Sequence, residues 1–258
     1  MIYNKKPIMS PDLERQVMNA VQMYSQRQLW KKWGMHTLRK QGAAILLEGP
    51  PGCGKTRIAE YLSLAIRKKG MKEISFADFG SHVPGENARQ IRALFEYGKD
   101  NGDMTLFLDE CEAILWDRSR AGATAMWMLE VIDELLVQVG KYPGLIILAS
   151  NKSELLDTGL ERRLIARIFV GVPEYRERQL LWRTKMPTAL PLKLSPENID
   201  KLSSLVVTGA EIEIAILEMA SDALRAKKLP TFKKLLDETV KLADRRKTLS
   251  AQPLQKIE

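Results

Sequence analysis

The sequence predicts an α/β fold, with a parallel sheet flanked by helices and followed by a small all-helical domain. Five short apolar or β-rich runs alternate with helical patterns as far as Pro173. This alternation is typical of a parallel sheet that helices cover on both faces. A glycine-rich turn directly follows the first of these runs, and after Pro173 only helical patterns remain.

The order of the elements defines the expected domains. The candidate strands are Ala43–Leu47, Glu73–Phe79, Met104–Leu108, Leu145–Ala149 and Ala166–Val170. A helix capped by Ser10 precedes them and ends by Gly34. The later helices are Glu174–Lys185, Pro196–Leu205, Ala210–Ala226 and Phe232–Arg245. We therefore predict an N-terminal helical segment over 1–40, an α/β domain over 41–172, a small helical domain over 173–250 and a flexible tail over 251–258.

Composition limits the classes of protein to which this chain can belong. The chain has 258 residues, 45% of them hydrophobic, which is ordinary for a folded domain. We expect no membrane span, because no apolar run approaches the roughly 20 residues that one needs. Cys53 and Cys111 are too few for a disulfide framework and predict reduced thiols in a cytoplasmic protein. The net charge of +8 indicates either a lysine-rich surface or an anionic partner such as nucleic acid.

The most informative motif lies between the first strand and the helical pattern Ile58–Ile66. It fits G-x-x-x-x-G-K-[ST], the phosphate-binding P-loop, followed by a further basic residue. The glycines allow a concave turn whose N–H groups point at phosphate oxygens. We expect the lysine to bridge the β- and γ-phosphates of ATP and the threonine hydroxyl to hold Mg²⁺. The predicted nucleotide-binding residues are Gly49, Pro50, Pro51, Gly52, Cys53, Gly54, Lys55, Thr56 and Arg57.

Two carboxylates follow the third candidate strand. Asp109 and Glu110 end the run Thr105–Glu110, and such a pair is the second half of a P-loop ATPase site. We expect Asp109 to hold the Mg²⁺ shell. Glu110 is predicted to orient and polarise the attacking water as the general base.

Polar residues also follow the next strand. Asn151 can donate to a γ-phosphate or to water, although a strand-ending asparagine is also common in ordinary turns. Further on, Arg162 and Arg163 are either a solvated charge run or a pair that reaches a neighbouring subunit's ATP.

Together these segments resemble the AAA+ ATPases, of the unfoldase and remodelling type. The resemblance runs from Gly49–Thr56 through Phe107–Ala113 and Leu148–Asn151 to Leu156–Arg163. The segment Arg162–Glu174 is similar to the katanin–spastin group. It implies a sheet of strand order 5-1-4-3-2, an ATP held between the two domains and a homo-oligomeric ring, usually a hexamer. It also implies that Asn151 senses the nucleotide and that Arg162 and Arg163 act as fingers in trans.

Two further segments qualify the resemblance. Thr208–Ile212 matches a second-sensor segment that lacks the sensor arginine, which implies that Gly209 and Ala210 contact the nucleotide through their backbone. The segment Phe79–Arg89 resembles a first pore loop, but Val83 and Pro84 stand where protein-threading relatives carry an aromatic residue. The basic segment over 117–122 is either a second pore segment or a solvated linker.

The main functional hypothesis is therefore an ATP-hydrolysing ring that remodels a macromolecular substrate, protein or nucleoprotein, with its substrate or adaptor unidentified. The alternative is a nucleotide-gated DNA-binding or loader module with slow turnover, which the net charge and the missing aromatic favour. A small-molecule kinase is a poorer match, because the helical region after Pro173 offers neither lid arginines nor a clear acceptor pocket.

Overall fold

The computed structural model describes residues 6–34, 44–67, 70–75, 85–111, 126–151 and 158–251. They form two compact units. The first contains Pro11–Pro51 and Lys55–Val170, and the second contains Ile8–Ser10, Gly52–Gly54 and the part of the chain from Gly171 onward. The domain limits at 40, 172 and 250 stay predictions.

The first unit is a parallel sheet with helices. Its strands are β1 Ala44–Glu48, β2 Met71–Ser75, β3 Thr105–Asp109, β4 Ile146–Ser150 and β5 Leu164–Phe169. Its described helices are α1 Pro11–Lys32, α2 Lys55–Arg67, α3 Glu86–Asp100, α4 Met126–Lys141 and the short α5 Thr158–Glu161. The strand order is β2-β3-β4-β1-β5, which confirms the expected order 5-1-4-3-2.

All five strands begin within two residues of their predicted starts, and β2 and β5 each begin two residues early. The sequence favoured Glu73–Phe79, but the ladder with β3 starts at Met71, opposite Thr105. The start of β2 is therefore set by its pairing with β3 and not by the composition of the strand itself. Residues 76–79 of the predicted strand lie outside the described residues.

The core of the first unit explains the apolar sequence of its central strands. Every residue of β1 and β4 is buried, as expected for inner strands of a parallel sheet. Ile91 and Phe95 of α3 pack with Val131 and Leu135 of α4 in the same cluster. These buried strands fix where their carboxyl ends lie, and the candidate site is built there.

The second unit is helical. It contains α6 Tyr175–Lys185, α7 Pro196–Ser204, α8 Gly209–Arg225 and α9 Phe232–Ala251. Trp182, Ile212 and Leu235 share one core cluster. Ser195 caps α7, with its side chain accepting from Asn198 N and Pro196 at the first helical position. Among the described helices of the whole chain, none is long and apolar enough to cross a membrane.

Candidate functional site

The loop between β1 and α2 depends on three glycines. Gly49, Gly52 and Gly54 have φ values of 143°, 76° and 96°, a region that side chains rarely adopt. At Gly49 an added Cβ would lie 2.2 Å from the carbonyl oxygen of Val170. A larger residue at position 49 would therefore force the loop away from the end of β5.

Lys55 is held inside this loop by three acceptors. Its Nζ donates to the carbonyl oxygens of Gly49 and Pro50, at 2.8 and 3.1 Å, and to Asn151 Oδ1 at 2.6 Å. The residue is only 8% exposed. A buried ammonium group at this place is stabilised by oxygen atoms, so the same position suits phosphate oxygens.

The start of α2 has the properties of an anion site. Helix N-termini present unpaired N–H groups and a partial positive charge, and the first turn of α2 carries no acidic residue. An added Cβ at Gly54 would meet no atom within 4 Å. The loop therefore has room for a phosphate, a basic side chain and N–H donors, and it fits the phosphates of a nucleotide.

Two carboxylates lie at the end of the buried strand β3, because Asp109 is its last residue and Glu110 follows it. Glu110 is exposed and has a φ of 55°, which is uncommon for a residue other than glycine and is found at functional sites. Its N–H donates to Asp109 Oδ1 at 2.9 Å, and the next N–H, of Cys111, donates to Ala149 O at 2.9 Å. The backbone on both sides of the Glu110 side chain is therefore fixed.

The sheet brings three of the predicted elements together. Strands β3, β4 and β1 are neighbours and parallel, so their carboxyl ends lie at one edge. Gly49 N donates to Ser150 O at 3.2 Å, which joins the loop to the end of β4. Lys55, Asp109 and Asn151 thus belong to one edge, where α/β sheets bind ligands.

The residues present also fit a magnesium ion. Thr56 follows Lys55 in the first turn of α2, and Asp109 is partly exposed at the end of β3. Mg²⁺ typically takes one or two protein ligands and completes its shell with water and phosphate oxygens. In the part of the chain that the structure describes, no group of three or more His, Cys, Asp or Glu side chains could hold a metal.

The two arginines are not part of this edge. Arg162 and Arg163 directly precede β5, so they lie at the amino end of a strand whose six residues span about 20 Å. Arg163 is turned back on its own helix: its Nη1 donates to Gly159 O at 2.6 Å. Arg162 is exposed.

The predicted second-sensor segment lies in the second unit. Thr208 and Glu211 form a capping box at the start of α8. Ala210 N donates to Gly52 O at 3.2 Å, and Gly52 is counted in the same unit. An added Cβ at Gly52 would lie 2.8 Å from Ala210 Cβ and 2.9 Å from Thr208 Oγ1.

Comparison with known proteins agrees with this geometry. A family model described as ATPase family associated with various cellular activities (AAA) matches residues 45–172. The protease FtsH of Ruminiclostridium cellulolyticum, an ATP-dependent zinc metalloprotease, is 33% identical over 213 residues, which are 77% of this chain and 32% of FtsH. The chain belongs to the AAA family.

Two other relatives of this AAA chain come from the remodelling side of the family that the sequence resembles. Human vacuolar protein sorting-associated protein 4A is 28% identical over 199 residues, 74% of this chain and 45% of the relative. Spastin of Drosophila mojavensis is 29% identical over 215 residues, 80% of this chain and 27% of the relative. The chain spans less than half the length of each of these three relatives.

Solved structures confirm the AAA fold. The FIGL-1 AAA domain in complex with ADP matches with a TM-score of 0.72 and 19% identity, covering 94% of this chain and 87% of that one. The HORMA:CdnC:Trip13 complex of E. coli MS115-1 contains a chain that matches with a TM-score of 0.68 and 19% identity, covering 89% and 86%.

One ion pair of the AAA domain was missed by sequence reasoning. Glu48, the residue before Gly49, accepts from Arg167 Nε at 2.8 Å, and this hydrogen bond, partly offset by burial, raises the pKa of the Arg167 guanidinium. The other carboxylate oxygen, Oε2, is buried without a hydrogen-bond partner among the described residues. A glutamate at the end of an otherwise apolar strand was a sequence feature that could have indicated an ion pair. The identity of its partner, however, depends on the pairing of β1 with β5.

Three predicted segments cannot be placed. Residues 79–84 of the first pore loop, including Val83 and Pro84, lie outside the described residues. The same holds for the second pore segment, 117–122, and for 152–157 ahead of the arginines. The described part of the first pore segment begins at Gly85, the N-cap of α3.

Proposed function

We propose that this chain binds and hydrolyses ATP as a subunit of a homo-oligomeric ring, a hexamer, that remodels a macromolecule. The observation that carries the proposal is the separation of two sets of residues on one sheet. Lys55, Asp109 and Asn151 lie at the carboxyl ends of the strands, whereas Arg162 and Arg163 lie at the amino end of β5. Arginines so placed serve an adjacent subunit better than their own.

Each residue of the loop edge has a role in this proposal. The loop N–H groups and Lys55 bind the phosphates, and Thr56 and Asp109 hold Mg²⁺, which when bound would neutralise charge on the phosphate oxygens. Glu110 accepts a proton from the attacking water. Asn151 donates from its amide to the γ-phosphate or to that water. Gly209 and Ala210 are proposed to contact the nucleotide through their backbone.

The remaining predicted contacts belong to the same proposal. The loop residues Pro50, Pro51 and Cys53 and the exposed Arg57 complete the nucleotide-binding segment. We also propose the cytoplasm as the compartment, because Cys53 and Cys111 are too few for a disulfide framework. The names of FtsH, spastin and vacuolar protein sorting-associated protein 4A indicate no shared substrate. We therefore propose a macromolecular substrate without naming its class.

A mixing experiment tests the shared site. Arg162→Ala subunits keep Glu110 but lack the exposed arginine of the pair, whereas Glu110→Gln subunits supply both arginines but lack the base. We expect each variant alone to be nearly inactive and the mixture to regain part of the wild-type turnover. The mass of the protein with a non-hydrolysable ATP analogue, measured by light scattering, supplies the control for assembly. A protein that stays monomeric yet hydrolyses ATP at the full rate would refute the proposal.

The net charge of +8 favours a second candidate, a nucleotide-gated module that binds DNA and turns ATP over slowly. Binding to a polyanion is strongly salt-dependent. This candidate predicts that single-stranded DNA stimulates turnover and that the stimulation falls steeply between about 50 and 200 mM salt. Turnover that is indifferent to DNA at low salt would eliminate it.

A further inference from the structure

We propose that Arg246, which is far from the phosphate loop in sequence, is a positioning residue for nucleotide binding. It would act through Glu211 on the turn that contacts Gly52. The inference rests on the proposed function, because it assumes that the loop containing Gly52 binds the phosphates of ATP. All of these residues belong to the second unit.

The first step is a two-pronged ion pair between helices α9 and α8. Arg246 Nη2 donates to Glu211 Oε1 at 2.9 Å, and Arg246 Nε lies 3.0 Å from Oε2 and 3.2 Å from Oε1. The two side chains are 18% and 17% exposed. Paired contacts of this kind fix orientation as well as distance, and a pair this well shielded is screened less than a surface pair.

The second step is that Glu211 also closes the turn at the start of α8. Its Oε2 accepts from Thr208 N at 2.7 Å and from Thr208 Oγ1 at 3.1 Å, while Glu211 N donates to Thr208 Oγ1 at 3.3 Å. One carboxylate therefore joins the capping box to α9. Without Arg246 the box can still form, but its link to α9 through this ion pair is lost.

The third step is that this turn contacts Gly52, which belongs to the same unit. Ala210 N donates to Gly52 O at 3.2 Å, and an added Cβ at position 52 would force Ala210 or Thr208 to shift. Thr208 is 1% exposed. A shift of the turn would therefore be transmitted to Gly52, whose neighbours Cys53 and Gly54 are predicted to bind phosphate.

Arg246 is not needed to hold α9 in place. Leu235, Leu242 and Ala243 of α9 pack in the same core as Ile212 and Met219 of α8. Apolar burial already holds α8 and α9 together, and the ion pair fixes the orientation of one helix relative to the other. We therefore expect Arg246→Ala to fold, and to bind nucleotide less tightly because the turn is less well fixed.

The test measures ATP affinity by calorimetry and turnover by a coupled assay on the full chain. We expect Arg246→Ala to weaken ATP binding on the order of tenfold. KM should rise similarly with kcat almost unchanged, the pattern of lost binding without lost chemistry. Arg246→Lys should recover part of the loss, since lysine keeps the charge but not the paired geometry. In a protein that already carries Glu211→Gln, the addition of Arg246→Ala should weaken ATP binding only a little further.

Two matched controls separate positioning from stability. Lys247→Ala removes the neighbouring cation of α9, whose ion pair with Asp244 has side chains 72% and 63% exposed, and should bind ATP as the wild type does. Leu242→Ala should lower the unfolding temperature yet leave the affinity of the folded protein unchanged. An Arg246→Ala protein with wild-type affinity and KM would overturn the inference.

Failure of the proposed function has a different signature. If the wild type and Lys55→Ala bind ATP equally, the loop is not a nucleotide site and both proposals fall. If Lys55→Ala loses binding while Arg246→Ala keeps it, only the role of Arg246 is refuted.

Discussion

Lys55 Nζ donates a hydrogen bond to Asn151 Oδ1 across 2.6 Å, which joins the first residue of α2 to the residue after β4. The two lie 96 positions apart in the chain. An amide group offers an acceptor and donors at once. Asn151 can therefore accept from the lysine with its oxygen while its nitrogen donates to another acceptor at the same edge of the sheet.

Asn151→Ala should slow ATP turnover more than it weakens ATP binding. Lys55 keeps the carbonyl oxygens of Gly49 and Pro50 as acceptors, so the loop retains its cation. The variant instead loses an amide donor, and removal of one donor aimed at developing charge costs about 10²–10³ in kcat. Steady-state kinetics and calorimetry on the same preparation measure both effects.

Asn101→Ala is the matched control for this prediction. Asn101 is exposed, and its amide donates to Tyr97 O at the end of α3, so its removal should leave turnover unchanged. Asn151→Asp keeps an acceptor for Lys55 but no donor, and we expect it to be as slow as Asn151→Ala. Full activity in either Asn151 variant would exclude a catalytic role.

Arg162→Ala and Arg163→Ala should have different effects although the residues are adjacent. Arg162 is exposed, and its loss should lower turnover of the assembled protein by about 10³-fold without changing stability. Arg163 donates to Gly159 O, so its loss should cost about 1 kcal/mol of stability. Turnover per assembled subunit and urea unfolding distinguish the two. Equal stability losses, or normal turnover in Arg162→Ala, would contradict the assignment.

Local motifs explain why much of the site could be predicted from the sequence. The loop, the carboxylates after β3 and the asparagine after β4 each follow a buried strand, and parallel strands bring such ends to one edge. The sequence did not separate Arg162 from Arg163. Which guanidinium turns back onto Gly159 depends on how the four-residue helix α5 folds.

Long-range ion pairs were not predictable. Glu48 and Arg167 are 119 positions apart and meet because β1 pairs with β5. The pair of Arg246 with Glu211 was missed for another reason. We predicted that the last helix ends at Arg245, but it continues to Ala251, since no helix breaker occurs before Pro253. The predicted helix therefore stopped one residue short of Arg246.

The second unit should lose stability in acid through Glu238. Hydrogen bonds from Lys234 and Lys241 hold the pKa of the Glu238 carboxyl below its ordinary value of 4.5. A carboxyl whose pKa falls on folding stabilises the fold above its unfolded pKa, and the contribution disappears as the pH falls through the folded pKa. We therefore expect the unfolding temperature to fall as the pH drops below about 4.5.

The variant Lys234→Met tests the origin of this acid sensitivity. The variant removes the ion pairs of Lys234 with both Glu238 and Asp222. It should therefore lower the unfolding temperature at pH 7, where both carboxylates are ionised, and differ less from the wild type at low pH. Lys247→Ala, which removes a well-exposed ion pair on the same helix, should follow the wild-type curve. A constant difference between Lys234→Met and the wild type across the acid range would show that the lysine acts by packing instead.

Gly52→Ala should destabilise the protein without nucleotide more than Gly54→Ala does. Both glycines have positive φ, so both variants carry a backbone strain of about 1–2 kcal/mol. Only at Gly52 would the new methyl group lie 2.8 Å from Ala210 Cβ and 2.9 Å from Thr208 Oγ1, and overpacking adds about 1–3 kcal/mol. Urea unfolding in the absence of ATP measures the difference.

The same pair of variants shows whether the turn at α8 can move. Glu211 and Arg246 hold Thr208 in place, so the methyl group of Gly52→Ala has no low-cost way to relieve its contact. Without Arg246 the turn can shift. In the Arg246→Ala background, the loss of unfolding free energy caused by Gly52→Ala should therefore come closer to the loss caused by Gly54→Ala. Strict additivity of the Gly52 and Arg246 changes would mean that the turn is fixed by its capping box alone.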